Sequence, residues 1–131
     1  MFEIAGKVAV ITGGGGVLGG SIARSFVKAG VKVALLDIRK ENVDSRVEEL
    51  KELGGDVLGV VSDVLDLDML QQACDSIVAR WSTVDILINA AGGNLPGATL
   101  ALGQNIFDMN LGEYKKVADL NLDGTIFPTM I

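Results

Sequence analysis

Lys7-Val8-Ala9-Val10-Ile11-Thr12 runs straight into Gly13-Gly14-Gly15-Gly16-Val17-Leu18-Gly19, and the reading of that junction decides the fold. The first six residues form a short apolar run that stops at glycines, as a strand buried on both faces does. The glycines let the chain turn sharply and approach a ligand with no Cβ in the way. Over residues 18–29 the apolar period lengthens. Ile22, Phe26 and Ala29 fall on one helical face, and Gly30 supplies the stop. A helix entered in this way offers free N–H groups and a positive dipole end to an anion, a pyrophosphate above all. Gly14, Gly16 and Gly19 also satisfy G-x-G-x-x-G. Alone that match reads equally as a tight turn with close helix packing, but here it stands between a strand and a helix, as the motif requires.

One rival reading falls on a single residue. Gly14-(x4)-Gly19-Gly20-Ser21 differs from the phosphate loop of nucleoside triphosphatases in having Gly20 where that loop needs its lysine. The lysine supplies the charge on the β- and γ-phosphates, and nothing adjacent in sequence replaces it.

Further along the chain the alternation repeats. Residues 31–36 read as a second strand. Val43, Val47 and Leu50 recur at helical spacing before Gly54-Gly55, and residues 57–61 read as a third strand. Asp66 is placed to cap a helix whose apolar positions are Leu67, Leu70, Cys74, Ile77 and Trp81. Val84-Asp85-Ile86-Leu87-Ile88-Asn89 reads as a fourth strand, residues 92–110 as the longest irregular stretch, and residues 113–131 as one more helix. Strands joined by helices pair in parallel through right-handed crossovers. The fold expected is therefore α/β, a Rossmann-type doubly wound parallel sheet that stops after about four strands.

Composition excludes several functions. The chain has 131 residues, half of them apolar, with 17 glycines and 2 prolines, which suits one packed domain. Charges sum to −6 and no basic run exceeds two residues, so a nucleic-acid partner is not expected. One cysteine and no histidine leave no disulfide framework, no usual zinc site and no histidine-based catalysis within these residues, so no metal is expected. Cys74 falls in the helical stripe and reads as core packing. Met1-Phe2-Glu3 lacks the start of a secretion signal and no run approaches a membrane span, so a cytoplasmic protein away from membranes is expected.

Asp37 ends the second strand, 18 residues past Gly19, near the spacing of an acid that binds a ribose. Its carboxylate can accept from both adenosine ribose hydroxyls, with Ile38 beside it. A 2′-phosphate there would meet a like charge at ~4 Å, worth about 4 kcal/mol at an effective dielectric of 20. NAD is preferred over NADP on this ground, although Arg39 places a phosphate-binding guanidinium nearby.

Four motifs together resemble those of the short-chain dehydrogenase/reductase family. Thr12-Gly13-(x3)-Val17-Leu18-Gly19 is similar to its T-G-x-x-x-G-x-G, with Val17 replacing the middle glycine. Asp63-Val64 resembles the pair bordering the adenine ring, and Asn89-Ala90-Ala91-Gly92 the family's N-N-A-G, with Ala90 for the second asparagine. Asn121, in Leu120-Asn121-Leu122-Asp123-Gly124, matches the asparagine of the catalytic tetrad. The resemblance implies that residues 13–19, Asp37, Ile38, Asp63, Val64 and residues 89–92 bind the dinucleotide, and that Asn121 belongs to the proton relay.

Within the family, the segment beginning Gly92-Gly93-Asn94-Leu95-Pro96-Gly97-Ala98-Thr99 is similar to that of D-mannonate (fructuronate) oxidoreductases, which act on sugar acids. Asn94 and Thr99 then either hydrogen-bond a polyhydroxylated small-molecule substrate or shape the turn. The family transfers a hydride between nicotinamide and a carbonyl or alcohol carbon, using a tyrosine and a lysine four residues later. The one tyrosine, Tyr114, is followed four residues on by Ala118, so it does not match. The resemblance thus covers residues 1–131 as a cofactor-binding half. By itself this half is expected to be inactive, to expose the edge of its fourth strand and to self-associate. The resemblance implies a tetramer or dimer for the whole protein. A dinucleotide-binding module without catalysis, or an inactive fragment, is the alternative.

Overall fold

The computed structural model describes residues 3–131, so Met1 and Phe2 of the amino-terminal reading lie outside the described residues. In chain order the elements are β1 (Val8–Thr12), α1 (Val17–Lys28), β2 (Lys32–Asp37), α2 (Lys40–Glu52), β3 (Val57–Val61), α3 (Leu67–Trp81), β4 (Ile86–Asn89) and α4 (Leu111–Met130). All four strands are parallel, in the order β3-β2-β1-β4. The first strand is therefore an inner one. After β3 the chain crosses to the other side of β1, and this reversal opens a crevice between the carboxyl ends of β1 and β4.

Side chains alternate across the strands and feed two cores. Ala9 and Ile11 of β1 with Val33 and Leu35 of β2 pack on Ala23 and Val27 of α1 and Leu50 of α2. Val8, Val10, Ala34 and Leu36 pack on Leu70, Ala73 and Ile77 of α3. With helices on both faces, β1 has no polar side to show, which is why it reads as an unbroken apolar run. Complete burial of Ile11 and of Leu35 contributes about 2–3 kcal/mol each.

The expected face of α1 shifts by one position, whereas that of α3 holds at Leu70 and Ile77. The buried row of α1 runs through Ala23 and Val27, flanked by half-buried Ile22 and Phe26, while Ala29 is exposed at the cap. Small residues there bring the helix close to the sheet, so the larger ones pack beside the contact line rather than on it. In α3 the buried row is Leu70, Ala73 and Ile77; Leu67 is exposed, and Cys74 and Trp81 are half-buried. Asp66 caps α3 as read, its side chain accepting from Met69 N–H at 3.0 Å. β4 is shorter than expected, because Val84 is exposed before the strand begins. It lies at the edge of the sheet with Ile86, Leu87 and Ile88 half-buried.

Residues 92–110 are ordered by their own polar groups. Two short 3-10 turns form here, Pro96–Ala98 and Ile106–Asp108, and the first is joined to α4 through Gly97. Gly97 N–H donates to Glu113 Oε2 at 2.7 Å, and its carbonyl accepts from Asn110 N–H at 2.9 Å. Asn105 and Asp108 cap the second turn reciprocally. Among the described residues no helix is long and apolar enough to cross a membrane.

Candidate functional site

The carboxyl ends of all four strands open onto one cleft of about 290 Å³. Its wall is formed by Gly13 and Gly16 after β1, Leu36, Asp37, Ile38 and Arg39 around the end of β2, Ser62, Asp63 and Val64 after β3, and Ala90, Ala91 and Gly92 after β4, with Leu120 of α4. Residues far apart in sequence converge there because parallel strands all end on the same side.

The glycine turn is shaped by close approaches on all but one side. Gly13 has φ +62°, and a Cβ on it would lie 2.7 Å from the Ala90 carbonyl oxygen. A Cβ on Gly14 would meet Leu35, one on Gly15 would meet Asn42 and Asp37, and one on Gly19 would press on the Gly13 carbonyl. Gly16 differs, since a Cβ there would meet nothing nearer than Gly13 O at 3.2 Å. It is the N-cap of α1, with extended backbone and no side-chain cap, and it faces the cleft. The open side of Gly16 thus coincides with the start of a helix whose first N–H groups lack intrahelical partners. An anionic group fits that place.

Asp37 stands beside this turn and is nearly buried, at 7% exposure. Its Oδ2 accepts from Gly15 N–H at 3.2 Å and its Oδ1 from Arg39 N–H at 3.1 Å. Two backbone donors fix the carboxylate at the cleft wall, and each oxygen keeps a further lone pair for a ligand hydroxyl. The Arg39 guanidinium is directed to α2. With the Asn42 amide turned to satisfy both groups, Asn42 Oδ1 accepts from Arg39 Nε at 3.0 Å and Nη2 at 3.1 Å.

Asp63 lines the cleft while its Oδ1 accepts from Leu65 N–H at 2.9 Å, turning the chain toward α3. Val64 is buried against α4, where a Cβ on Gly124 would come within 2.9 Å of its Cγ2. Gly124 therefore lets α4 sit close over the third strand end.

Not every expected site residue reaches the cleft wall. Val17 and Leu18 project into solvent at 90% and 68% exposure. Asn89 turns to α4, donating to Thr129 Oγ1 at 3.1 Å. Asn94 binds within its own loop, Nδ2 donating to Thr99 Oγ1 at 2.6 Å and Oδ1 accepting from Leu95 N–H at 2.9 Å, the geometry of a residue that shapes the turn. Asn121 hooks the loop after β4 to α4. Its Nδ2 donates to the carbonyls of Gly93 and Val117, both at 2.8 Å, and its Oδ1 accepts from Gly93 N–H at 3.4 Å.

Three further residues matter. Thr12 is fully buried, and its Oγ1 accepts from both Ala90 and Ala91 N–H at 3.1 Å, pinning the fourth strand end to the glycine turn. Its place at the head of the turn was a signal in the sequence. Leu120 and Ser62 also line the cleft, and only their adjacency to Asn121 and Asp63 pointed to them.

Known proteins share this sequence pattern and fold. A family model described as short chain dehydrogenase matches residues 7–130. The uncharacterised oxidoreductase UxuB of Bacillus subtilis is 38% identical, the match covering 98% of this chain and 49% of UxuB. Among solved structures, a candidate D-mannonate oxidoreductase from Haemophilus influenza with bound NAD superposes with a TM-score of 0.88 at 31% identity, covering 98% of this chain and 49% of that one. NAD+-bound xylitol dehydrogenase gives 0.87 at 25% identity, covering 98% and 47%. The chain thus spans about half the length of the relatives it matches.

Proposed function

The chain belongs to the short chain dehydrogenase family, and from that premise we propose that it is the dinucleotide-binding half of an NAD-dependent oxidoreductase. The observation that carries this reading is the fixed carboxylate of Asp37 beside a glycine turn whose Gly16 is open to the cleft. Bound at this place, NAD supplies the hydride acceptor of an alcohol oxidation.

The chain's own residues bind and orient. The amides at the start of α1 donate to the diphosphate, and the Asp37 carboxylate accepts from the adenosine ribose hydroxyls. Ile38 and Val64 border the adenine, with Asp63 accepting from its amino group. Ala90, Ala91 and Gly92 let the fourth strand end lie under the nicotinamide-side ribose without Cβ bulk beyond a methyl. Asn121 holds Gly93, and through it the loop that leads from the cleft to residues 94–110. We assign it the proton-relay place in the complete protein. A sugar acid such as D-mannonate or fructuronate is the substrate we propose for the complete protein. The similarity to the Haemophilus candidate D-mannonate oxidoreductase supports that choice.

The test is a chemical-shift titration of this chain with NAD. Residues 13–19, Asp37 and residues 90–92 should move together and saturably. Shifts scattered elsewhere, or none, would refute the reading. For the substrate, the complete protein carrying this chain should reduce fructuronate with NADH faster than it reduces neutral ketoses.

A further inference from the structure

Behind the glycine turn, away from the cleft, α2 sends one cation across to α1. Arg46 is largely buried, its side chain 15% exposed, and its guanidinium lies directly over Gly20. A Cβ on Gly20 would stand 2.6 Å from Nη2 and closer still to Cζ and Nε. The missing side chain at position 20 is therefore the space in which the guanidinium rests. Glycine in this first stretch of α1 disfavours the helix relative to alanine, so the vacancy has a cost that the arginine's placement explains.

The partners of that cation do not neutralise it. Nη1 pairs with Glu49, but the same carboxylate also pairs with Arg24 of α1. Arg24's hydrogen bond, followed by the charge of Arg46, holds the Glu49 carboxyl below its ordinary range. Two guanidiniums thus share one carboxylate, Arg46 Nε has no partner, and Nη2 lies 3.5 Å from the Gly16 carbonyl oxygen. Arg24, Arg46 and Glu49 together carry one net positive charge beside the helix end where the backbone dipole is already positive, across the glycine turn from the Asp37 carboxylate. An anion at the open side of Gly16 is attracted by that charge.

We propose that Arg46, seated in the gap left by Gly20, is a positioning residue for the diphosphate of the dinucleotide, acting through the peptide between Gly16 and Val17. The Gly16 carbonyl already accepts from Gly20 N–H at 2.9 Å. A second donor polarises the same peptide unit, whose N–H belongs to Val17 at the open start of α1. Arg46 thus serves the purpose that a lysine at position 20 serves in a triphosphatase loop, but from behind and through the backbone. The recognised group is a diphosphate, not the adenosine. This inference rests on the proposed dinucleotide site.

Arg46→Met and Gly20→Ala test it by opposite routes. The first removes the charge. The second evicts the flexible guanidinium while favouring the helix. In chemical-shift titrations at low salt, each variant should bind ADP and NAD about five- to tenfold more weakly, the effect of one nearby unit charge, while adenosine binds as in the wild type. The deficit should shrink as salt rises, because the interaction is screened, and Arg46→Lys should recover part of it. Thermal melts of each variant separate a loss of folding from a loss of affinity. If the wild type binds ADP but both variants match it within twofold, or if adenosine is weakened as much as ADP, the role assigned to Arg46 is wrong. If the wild type binds neither ADP nor NAD, the dinucleotide site itself fails.

Discussion

Replacing Asp37 by asparagine alters charge at nearly constant shape, and the structure sets the size of the effect. A hydrogen bond to a carboxylate is worth roughly 1.5–3 kcal/mol and one to a neutral acceptor about 0.5–1.5. Two ribose hydroxyls that meet a neutral amide at this position instead of a carboxylate therefore lose about 2–3 kcal/mol together, a weakening of NAD by roughly 30- to 150-fold. NADP moves the other way. Its 2′-phosphate no longer faces a charge at ~4 Å, a repulsion of up to about 4 kcal/mol before screening. The ratio of NAD to NADP affinity should thus fall by at least about a hundredfold. Stability should fall too. The carboxylate accepts from Gly15 and Arg39 N–H through different oxygens, whereas an amide has one oxygen, so one of these N–H groups loses its acceptor at about 1–3 kcal/mol. Isothermal titration of Asp37→Asn with both dinucleotides at about 0.15 M ionic strength, near physiological, alongside a urea melt, reads both effects. An unchanged affinity ratio in a folded variant would refute the placement of the ribose at Asp37.

Other perturbations follow from the same contacts. Thr12→Val leaves the amides of Ala90 and Ala91 without an acceptor and should cost about 2–4 kcal/mol by denaturant unfolding, with faster hydrogen exchange at those two amides; wild-type exchange there would contradict the pinning. Gly13→Ala combines a positive φ with a Cβ 2.7 Å from Ala90 O and should destabilise by about 2–4 kcal/mol, as a lowered urea midpoint. Acid should weaken the fold through two carboxyls held below their ordinary value: Asp85 by the Val8 N–H and then Lys7, Asp56 by Arg80 and then the Trp81 N–H. Because folding lowers these values, their stabilisation is complete at neutral pH, where both are ionised in either state, and is lost as pH falls below about 4. Asp85→Asn should flatten that acid limb of stability, and an unchanged limb would count against its pairing.

The sheet was legible because its signals are local. An apolar run ending in glycines, helical spacing after it, and an acid placed to cap α3 each depend on neighbours within a few positions. Asp37 was legible for a related reason, since its distance from Gly19 is set by one helix and one strand. The centre of the α1 face was misplaced by one position because small Ala23, not large Ile22, is the fully buried residue, and burial against the sheet is a property of the pair rather than of the helix. Arg46 was invisible for the same reason. A glycine in one helix and an arginine in the next acquire meaning only once α2 lies across α1. The loop of residues 92–110 read as irregular because its order comes from side chains binding backbone, as at Gly97 and Glu113, which leaves no periodic trace.

The placing of β1 inside the sheet has a kinetic consequence. Its partner β2 is two dozen positions away, but the Thr12 hydroxyl that clamps the other flank must find an amide 78 positions along the chain. Closure of the longer loop carries the larger entropy. The three-stranded portion should therefore assemble early, and competence to hold a nucleotide should emerge last, when β4 docks. A ligand present during refolding would then leave the early phases untouched and slow only the re-opening of that final joint.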